Sequence, residues 1–164
     1  MQILDNKQLD QKLDRLAYQI LENNLDEKNL FFLGINNNGL RFAQLLQETF
    51  SKLTGKESRL GNITLNAAKP LSDEVVIDID MKELNKAAII VVDDVANTGR
   101  TIFYATKPLM GILPKKVEAA VLVDRKHKQF PIKVDYVGLS LATTLKENIR
   151  VDLKRKNQKS VHLE

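Results

Sequence analysis

Residues 87–101 read AAIIVVDDVANTGRT, and this stretch decides the fold. The run Ala87–Val92 is apolar without polar alternation, the pattern of a strand buried on both faces. It gives way to two acids, Asp93 and Asp94, then to Asn97-Thr98-Gly99 and an amphipathic stretch ending near Gly111. The reading is a central strand over Ala87–Val92, a loop over 93–98 and a helix from about Gly99 to Gly111. In open parallel sheets ligands gather beyond the carboxyl ends of the strands, so this loop is where a site is expected.

Working outward, residues 5–22 place Leu9, Leu13, Leu16, Ala17, Ile20 and Leu21 on one helical stripe. LFFLGI (30–35) is a second fully apolar strand, and Gly34–Gly39 reads as a Gly/Asn-rich turn. Leu40, Ala43, Leu46, Phe50 and Leu53 then mark the inner face of another helix, broken at Thr54-Gly55-Lys56. LGNITL (60–65), VEAAVLV (117–123) and VDYVG (134–138) read as further strands, and NAAKPLSDE (66–74) as a loop. Ile149–Leu153 and Ser160–Leu163 are expected to pair across a turn at Asn157. Apolar strands alternating with helices predict an α/β fold with a mostly parallel central sheet and helices on both faces.

The loop itself carries a chemical argument. Backbone N–H groups across Ala96, Asn97, Thr98, Gly99, Arg100 and Thr101 converge where a helix begins, an arrangement that favours phosphate. Thr98 and Thr101 add hydroxyls, and Gly99 lets the backbone approach closely. The pattern is neither GxxxxGK[ST] nor GxGxxG. Two carboxylates beside a phosphate repel it unless they face another part of the ligand. A sugar with vicinal hydroxyls meets that condition: Asp93 and Asp94 accept from the 2′- and 3′-hydroxyls while the 5′-phosphate lies in the loop. Acidic caps alone are ordinary in strand–helix loops. The full order of apolar strand, Asp-Asp, three residues, TGxT and helix is what singles this one out.

Composition narrows the class. The chain has 164 residues, 43% of them hydrophobic, enough for one core. It has no cysteine, so neither a disulfide framework nor a thiolate metal site is expected, and its two histidines, His127 and His162, give no case for structural zinc. No run is long and apolar enough for a membrane span, and MQILDNKQLDQKLDRL lacks the apolar core of a secretion signal, so a cytoplasmic location is expected. The net charge of +4 is uneven: Arg150, Lys154, Arg155, Lys156 and Lys159 crowd the C-terminal end, leaving a polyanion partner such as RNA open.

VVDDVANTGRT resembles the signature with which type I phosphoribosyltransferases bind phosphoribosyl pyrophosphate (PRPP). LDQKLDRLAYQILENN, LFFLGINNNG, LVDRKHKQFPI, DYVG and TTLKENIRVDL are similar, in order and spacing, to the PyrR branch of that family. The branch comprises pyrimidine-operon attenuation regulators that often also have uracil phosphoribosyltransferase activity. The resemblance implies one phosphoribosyltransferase domain over residues 1–164, with a small hood and a C-terminal hairpin (about 149–163) as an appendage. It implies Asp93 and Asp94 on the ribose hydroxyls, and residues 96–101 on the 5′-phosphate. Ile35, Asn36, Asn37, Asn38 and Gly39 would form the pyrophosphate loop. Tyr136 would stack on the base and Val137 bond its edge, while Asp124 and Arg125 would contact pyrophosphate or base. Mg2+ is the implied cofactor, with no protein ligand to it assigned, and a homo-oligomer is the implied assembly.

The same resemblance implies transfer of the phosphoribosyl group to a nucleobase, uracil by kinship with PyrR, or alternatively a PRPP- or nucleotide-sensing regulator that binds RNA. Enzymes for 6-oxopurines usually carry an acid where this chain has Asn97, which argues against a purine. Three departures stand out. Asn37-Asn38-Gly39 replaces a basic TRG, the catalytic-loop segment 66–74 has Lys69 as its only cation, and Leu145 stands where a basic residue is common. The sugar-phosphate site therefore reads as intact and the leaving-group machinery as thinned.

Overall fold

The computed structural model describes residues 1–144 and 146–164, so the expectation for Leu145 lies outside the described residues. A short β1 (Gln2–Leu4) leads into α1 (Asn6–Asn23). Asp5 starts that helix with a reciprocal cap: its Oδ1 accepts from the Gln8 N–H at 2.8 Å, and Gln8 Oε1 accepts from the Asp5 N–H at 2.9 Å. Next come β2 (Leu30–Ile35) and α2 (Asn36–Thr54), which Gly55 closes at φ 66°. The chain continues through β3 (Arg59–Thr64), β4 (Val76–Ile77), α3 (Met81–Leu84), β5 (Ala88–Ala96) and α4 (Arg100–Ala105). A 3-10 segment at Lys107–Gly111 precedes β6 (Lys116–Arg125), β7 (Tyr136–Leu141), β8 (Ile149–Asp152) and β9 (Ser160–Leu163).

Six strands form one sheet in the order β4-β3-β2-β5-β6-β7, parallel except for β4 at its edge. On one face Leu9, Leu13 and Leu16 of α1 meet Phe42, Leu46 and Phe50 of α2 over Phe32, Ile90 and Val92. On the other, Ile102, Ala105 and Leu109 cover Ile89, Val91 and Val121. The expected α/β architecture is therefore the one observed. Among the described residues no helix is long and apolar enough to cross a membrane.

Several boundaries differ from the sequence reading. β5 does not stop at Val92; it runs on to Ala96 because β6 keeps pairing with it, Asp93 with Val121 and Ala96 with Asp124. The expected turn at 34–39 shrinks to Asn36, held at φ 51°, which is itself the first residue of α2. The helix expected to reach Gly111 ends at Ala105, and Pro108, which has no N–H to donate, sits in the 3-10 continuation. β8 and β9 pair as expected, but β9 also pairs with β1, Gln2 with His162 and Leu4 with Val161. The hairpin is thus part of a three-stranded hood rather than a free appendage, and Leu4, Leu153 and Val161 join the core beneath it. β1, β4 and α3 are too short to leave a periodic signal.

Close contact between β2 and α2 depends on Gly34. A Cβ there would lie 2.4 Å from Leu40 Cα and 2.7 Å from the Gly39 carbonyl oxygen, both backbone atoms that cannot swing aside. Gly34→Ala is expected to cost about 3 kcal/mol through this overpacking, read as a lower urea midpoint at unchanged slope.

Candidate active site

The site begins where two strands separate. Gly34 of β2 lies opposite Val92 of β5; β2 ends one residue later, while β5 continues four residues further to Ala96. From β2 the strand order runs outward both ways, to β3 and to β5, so this is the switch point of the sheet, where α/β proteins hold ligands. Along the overhanging strand successive side chains alternate in direction. Asp93 therefore lines a cavity of 490 Å³ with Thr98 and Thr101, and Asp94 lines one of 540 Å³ under the hood. A third, of 380 Å³, lies between them and includes both acids and Asn36–Asn38. Shared walls make the three one cleft around the acidic pair.

Neither carboxylate has a cationic partner among the described residues. Asp93 is 8% exposed, and its Oδ1 accepts the N–H of Asp94 at 2.9 Å. Asp94 Oδ1 accepts the N–H of Val95 at 2.8 Å. Burial first, and then the charge of Asp94, hold the Asp93 carboxyl well above its ordinary range; burial raises Asp94 as well. A folded-state value above the unfolded one means that the pair destabilises the ligand-free protein increasingly as pH rises through its titration. Ligand hydroxyls or a bound cation would relieve that penalty. The oxygen donors suit a hard cation such as Mg2+. No group of three His, Asp or Glu that could hold a metal exists among the described residues, so ligand oxygens and water would complete its shell.

Behind the pair, the loop Asn97–Gly99 is held by the segment between β6 and β7. The N–H groups of Gln129 and Phe130 donate to the Thr98 carbonyl at 2.9 and 3.2 Å. Lys128 Nζ donates to the Asn97 carbonyl at 3.1 Å, to Asp124 Oδ1 at 2.5 Å and to the Arg125 carbonyl at 2.5 Å. Gly99 sits at φ 88°, and a Cβ on it would meet Ile132 at 2.7 Å. Residues 96–101 thus line the cleft, and Gln129 and Phe130, which the sequence reading overlooked, line the same cavity. α4 has only six residues, so its dipole is weak, and Thr98 and Thr101 are the hydroxyl side chains that line the cavity. Arg100 lines the cavity and donates to the Ala67 carbonyl at 2.8 Å, tying down the segment expected to be a catalytic loop.

The opposite wall is Asn36–Gly39. Asn62, another residue overlooked, donates from Nδ2 to the carbonyls of Gly34 (2.9 Å) and Asn36 (3.1 Å); Asn36 Oδ1 accepts the Leu65 N–H at 3.0 Å. Gly39 is held against β5: a Cβ would come within 2.8 Å of the Val92 carbonyl and 3.2 Å of Asp93 Oδ1. Asn37 and Asn38 are exposed to the cleft.

Two expectations are corrected. Tyr136 is 1% exposed and belongs to the core under α1; its hydroxyl donates to Glu118 Oε2 at 2.8 Å and accepts from Asn24 Nδ2 at 3.4 Å. It opens β7 at the level of Val92 and points to the amino edge of the sheet, away from the cleft, so no face is open to a base. Val137 is likewise structural, its carbonyl accepting from Arg15 Nη2 at 3.1 Å. Asp124 and Arg125 do end β6 on the ligand side, but they are engaged within the protein. Asp124 is bound to Lys128; Arg125 donates to Thr143 Oγ1 (2.6 Å), the Thr144 carbonyl (2.6 Å) and Asn97 Oδ1 (3.2 Å). They brace the loop at 97 against the segment at 143–144, where His127 Nε2 also meets the Thr143 carbonyl at 2.5 Å.

Comparison with known proteins agrees with this geometry. Residues 1–156 match the family described as the phosphoribosyl transferase domain. The chain is 33% identical, over 95% of its length and 92% of theirs, to the Bifunctional protein PyrR of Bacillus mycoides and of Bacillus cereus. Its fold is shared with the hypoxanthine phosphoribosyltransferase of Trypanosoma cruzi, at a TM-score of 0.77 and 14% identity over 98% of this chain and 90% of that one. It is also shared with a hypoxanthine-guanine phosphoribosyltransferase of Bacillus anthracis, at 0.73 and 19% over 87% and 84%.

Asp93→Asn is expected to raise the ligand-free melting temperature at pH 7 by about 2–4 °C, since it removes an acid whose folded-state titration lies above its unfolded one. The gain should shrink as pH falls toward the ordinary carboxylate range, a trend calorimetry at several pH values would read. Tyr136→Phe is expected to lose about 1–2 kcal/mol of stability, with the hydrogen bond to Glu118, and to leave ligand affinity where it was. Weaker nucleotide binding in that variant would restore Tyr136 to the site.

Proposed function

The chain belongs to the phosphoribosyl transferase domain family and is a phosphoribosyltransferase, and on that premise we propose that it binds Mg-PRPP and transfers the phosphoribosyl group to a pyrimidine base such as uracil. The observation that carries this reading is the pair Asp93–Asp94 on a strand end, Asp93 buried and Asp94 partly so, with no cationic partner among the described residues and with the loop 96–101 lining the cleft directly after it. That order matches a ribose 5-phosphate: vicinal hydroxyls for the acids, 5′-phosphate for residues 96–101.

In the reaction a base nitrogen attacks the anomeric carbon. The bond from that carbon to the pyrophosphate oxygen breaks, its electron pair leaves with pyrophosphate, and the base loses its N–H proton to solvent. Positive charge develops on the ribose ring at the transition state. Asp93 and Asp94, kept close by burial and short backbone bonds, orient the ribose and favour that charge. Mg2+, when bound beside them with the pyrophosphate and ribose oxygens, supplies charge neutralisation of the leaving group. Thr98 and Thr101 hold the 5′-phosphate, and the Arg125–Lys128 brace keeps their loop from shifting.

Support for a pyrimidine is kinship with the PyrR proteins, together with Asn97, whose side-chain oxygen is already taken by Arg125. A second reading, a nucleotide-sensing regulator that binds RNA, draws on the exposed run Lys154-Arg155-Lys156 at the turn of the hood. RNA-hairpin affinity falling steeply with salt would favour it.

Pyrophosphate release from Mg-PRPP, with uracil, other pyrimidines and purines offered singly, tests the proposal. Release with uracil is expected, falling at least a hundredfold in the Asp93→Asn/Asp94→Asn double variant. Release with hypoxanthine or guanine alone would overturn the pyrimidine assignment; PRPP binding without release for any base would leave the regulator.

A further inference from the structure

A departing pyrophosphate carries several negative charges, and the wall nearest its expected position, Asn37-Asn38, has only neutral donors. Two acids stand close by on β5. Any cationic side chain for that group has to come from another wall of the cleft, and the 540 Å³ cavity under the hood holds candidates. Besides Asn37, Asn38 and Asp94, its walls include Arg41 from α2 and Lys154 from the turn after β8.

Arg41 lies one helical turn beyond Asn38, and residues three apart share a helix face, so both reach the same cavity. Its Nε donates to the Leu153 carbonyl at 2.9 Å and its Nη1 to Gln44 Oε1 at 3.5 Å. These bonds fix the plane of the guanidinium without neutralising it, since no carboxylate pairs with Arg41 among the described residues. Nη2 makes no hydrogen bond among them either. A fixed planar fork with an open edge is the geometry that binds phosphate oxygens in pairs. Lys154 likewise has no carboxylate partner among the described residues, and its N–H is held by Asp152 Oδ1 at 3.1 Å. Arg150, in the same cavity, is already committed to Glu164 at 2.5 Å.

We infer that Arg41, helped by Lys154, is the cationic contact for the pyrophosphate group, in place of the neutral loop. This rests on the transferase reading above. Because Arg41 is tied to Leu153, pyrophosphate held there also fastens the hood to the start of α2. Lys154 closes over the anion from the other side.

The test compares three ligands by calorimetry on the full chain: inorganic pyrophosphate, PRPP, and uridine 5′-monophosphate, which has no leaving group. Arg41→Gln keeps a donor of similar reach and removes the charge. It is expected to weaken pyrophosphate and PRPP about 10–100-fold and to leave the monophosphate within twofold. Arg41→Lys should recover most of the loss, and Lys154→Gln should show a smaller loss with the same ligand selectivity. Melting curves of each variant exclude unfolding as the cause. Pyrophosphate affinity unchanged in Arg41→Gln, or equal losses for all three ligands, would overturn the assignment. Wild-type protein that does not bind pyrophosphate at millimolar concentration would do so as well. The two readings fail separately. Turnover that depends on Asp93 but not on Arg41 removes this assignment alone. Pyrophosphate binding that depends on Arg41, in a protein that transfers to no base, removes the transferase reading alone.

Discussion

Asp93 and Asp94 sit side by side on a strand end, largely out of water and with no cation paired to either among the described residues. Such a pair repels itself and is poorly solvated, and the rest of the site depends on holding it in place. The sheet does so from below. β6 keeps its register with β5 beyond the point where β2 has ended, so the acids are fixed by backbone pairing rather than by a flexible loop. Gly39 comes in from the side close enough that a methyl group there would strike the Val92 carbonyl, which seals the pair against α2. The unfavourable state of the free protein is the reserve drawn on when a ligand brings hydroxyl donors or a cation, the usual conflict between stability and function.

Around the pair, the polar side chains divide between ligand and scaffold. Arg125, Lys128, Asn62 and Arg100 are all chemically suited to a phosphate, yet each has hydrogen bonds committed to carbonyl or side-chain oxygens of the protein. They hold in place loops that are themselves short of regular structure. Asn97–Gly99 is held through Lys128, Gln129 and Phe130, and the turn at Asn36 through Asn62. A loop outside regular structure leaves backbone groups that need partners from elsewhere in the chain. The segment 126–132, within the LVDRKHKQFPI stretch that is similar to the PyrR branch, supplies them for Asn97–Gly99.

The hood joins the two ends of the chain. β1 and β9 pair, the Met1 ammonium donates to the Leu163 carbonyl at 2.7 Å, and Arg41 links the far side of the hood to α2 through Leu153. The cavity beneath it therefore has one wall from the central sheet and one from the termini.

The sequence by itself determined the elements whose signal is local. Apolar runs at 30–35, 87–92 and 117–123 and the helical stripes of α1 and α2 specify a parallel sheet with helices on both faces. The order of apolar strand, two acids, TGxT and helix marks the loop proposed to hold the sugar phosphate, because hydrophobic period and turn chemistry are written in neighbouring residues. What only the tertiary structure decided depends on pairing between distant segments. Register with β6 carried the strand through Asp93 and Asp94 to Ala96, where the sequence reads a loop, and pairing with β1 drew the C-terminal hairpin into the hood. Burial under α1 turned Tyr136, which its motif assigned to the base, into a core residue bonded to Glu118. The reach of Arg41 to Leu153 lies 112 positions along the chain. A side chain's type shows what it can bond, but which of its possible partners is near is fixed only when the sheet closes and the helices settle on it.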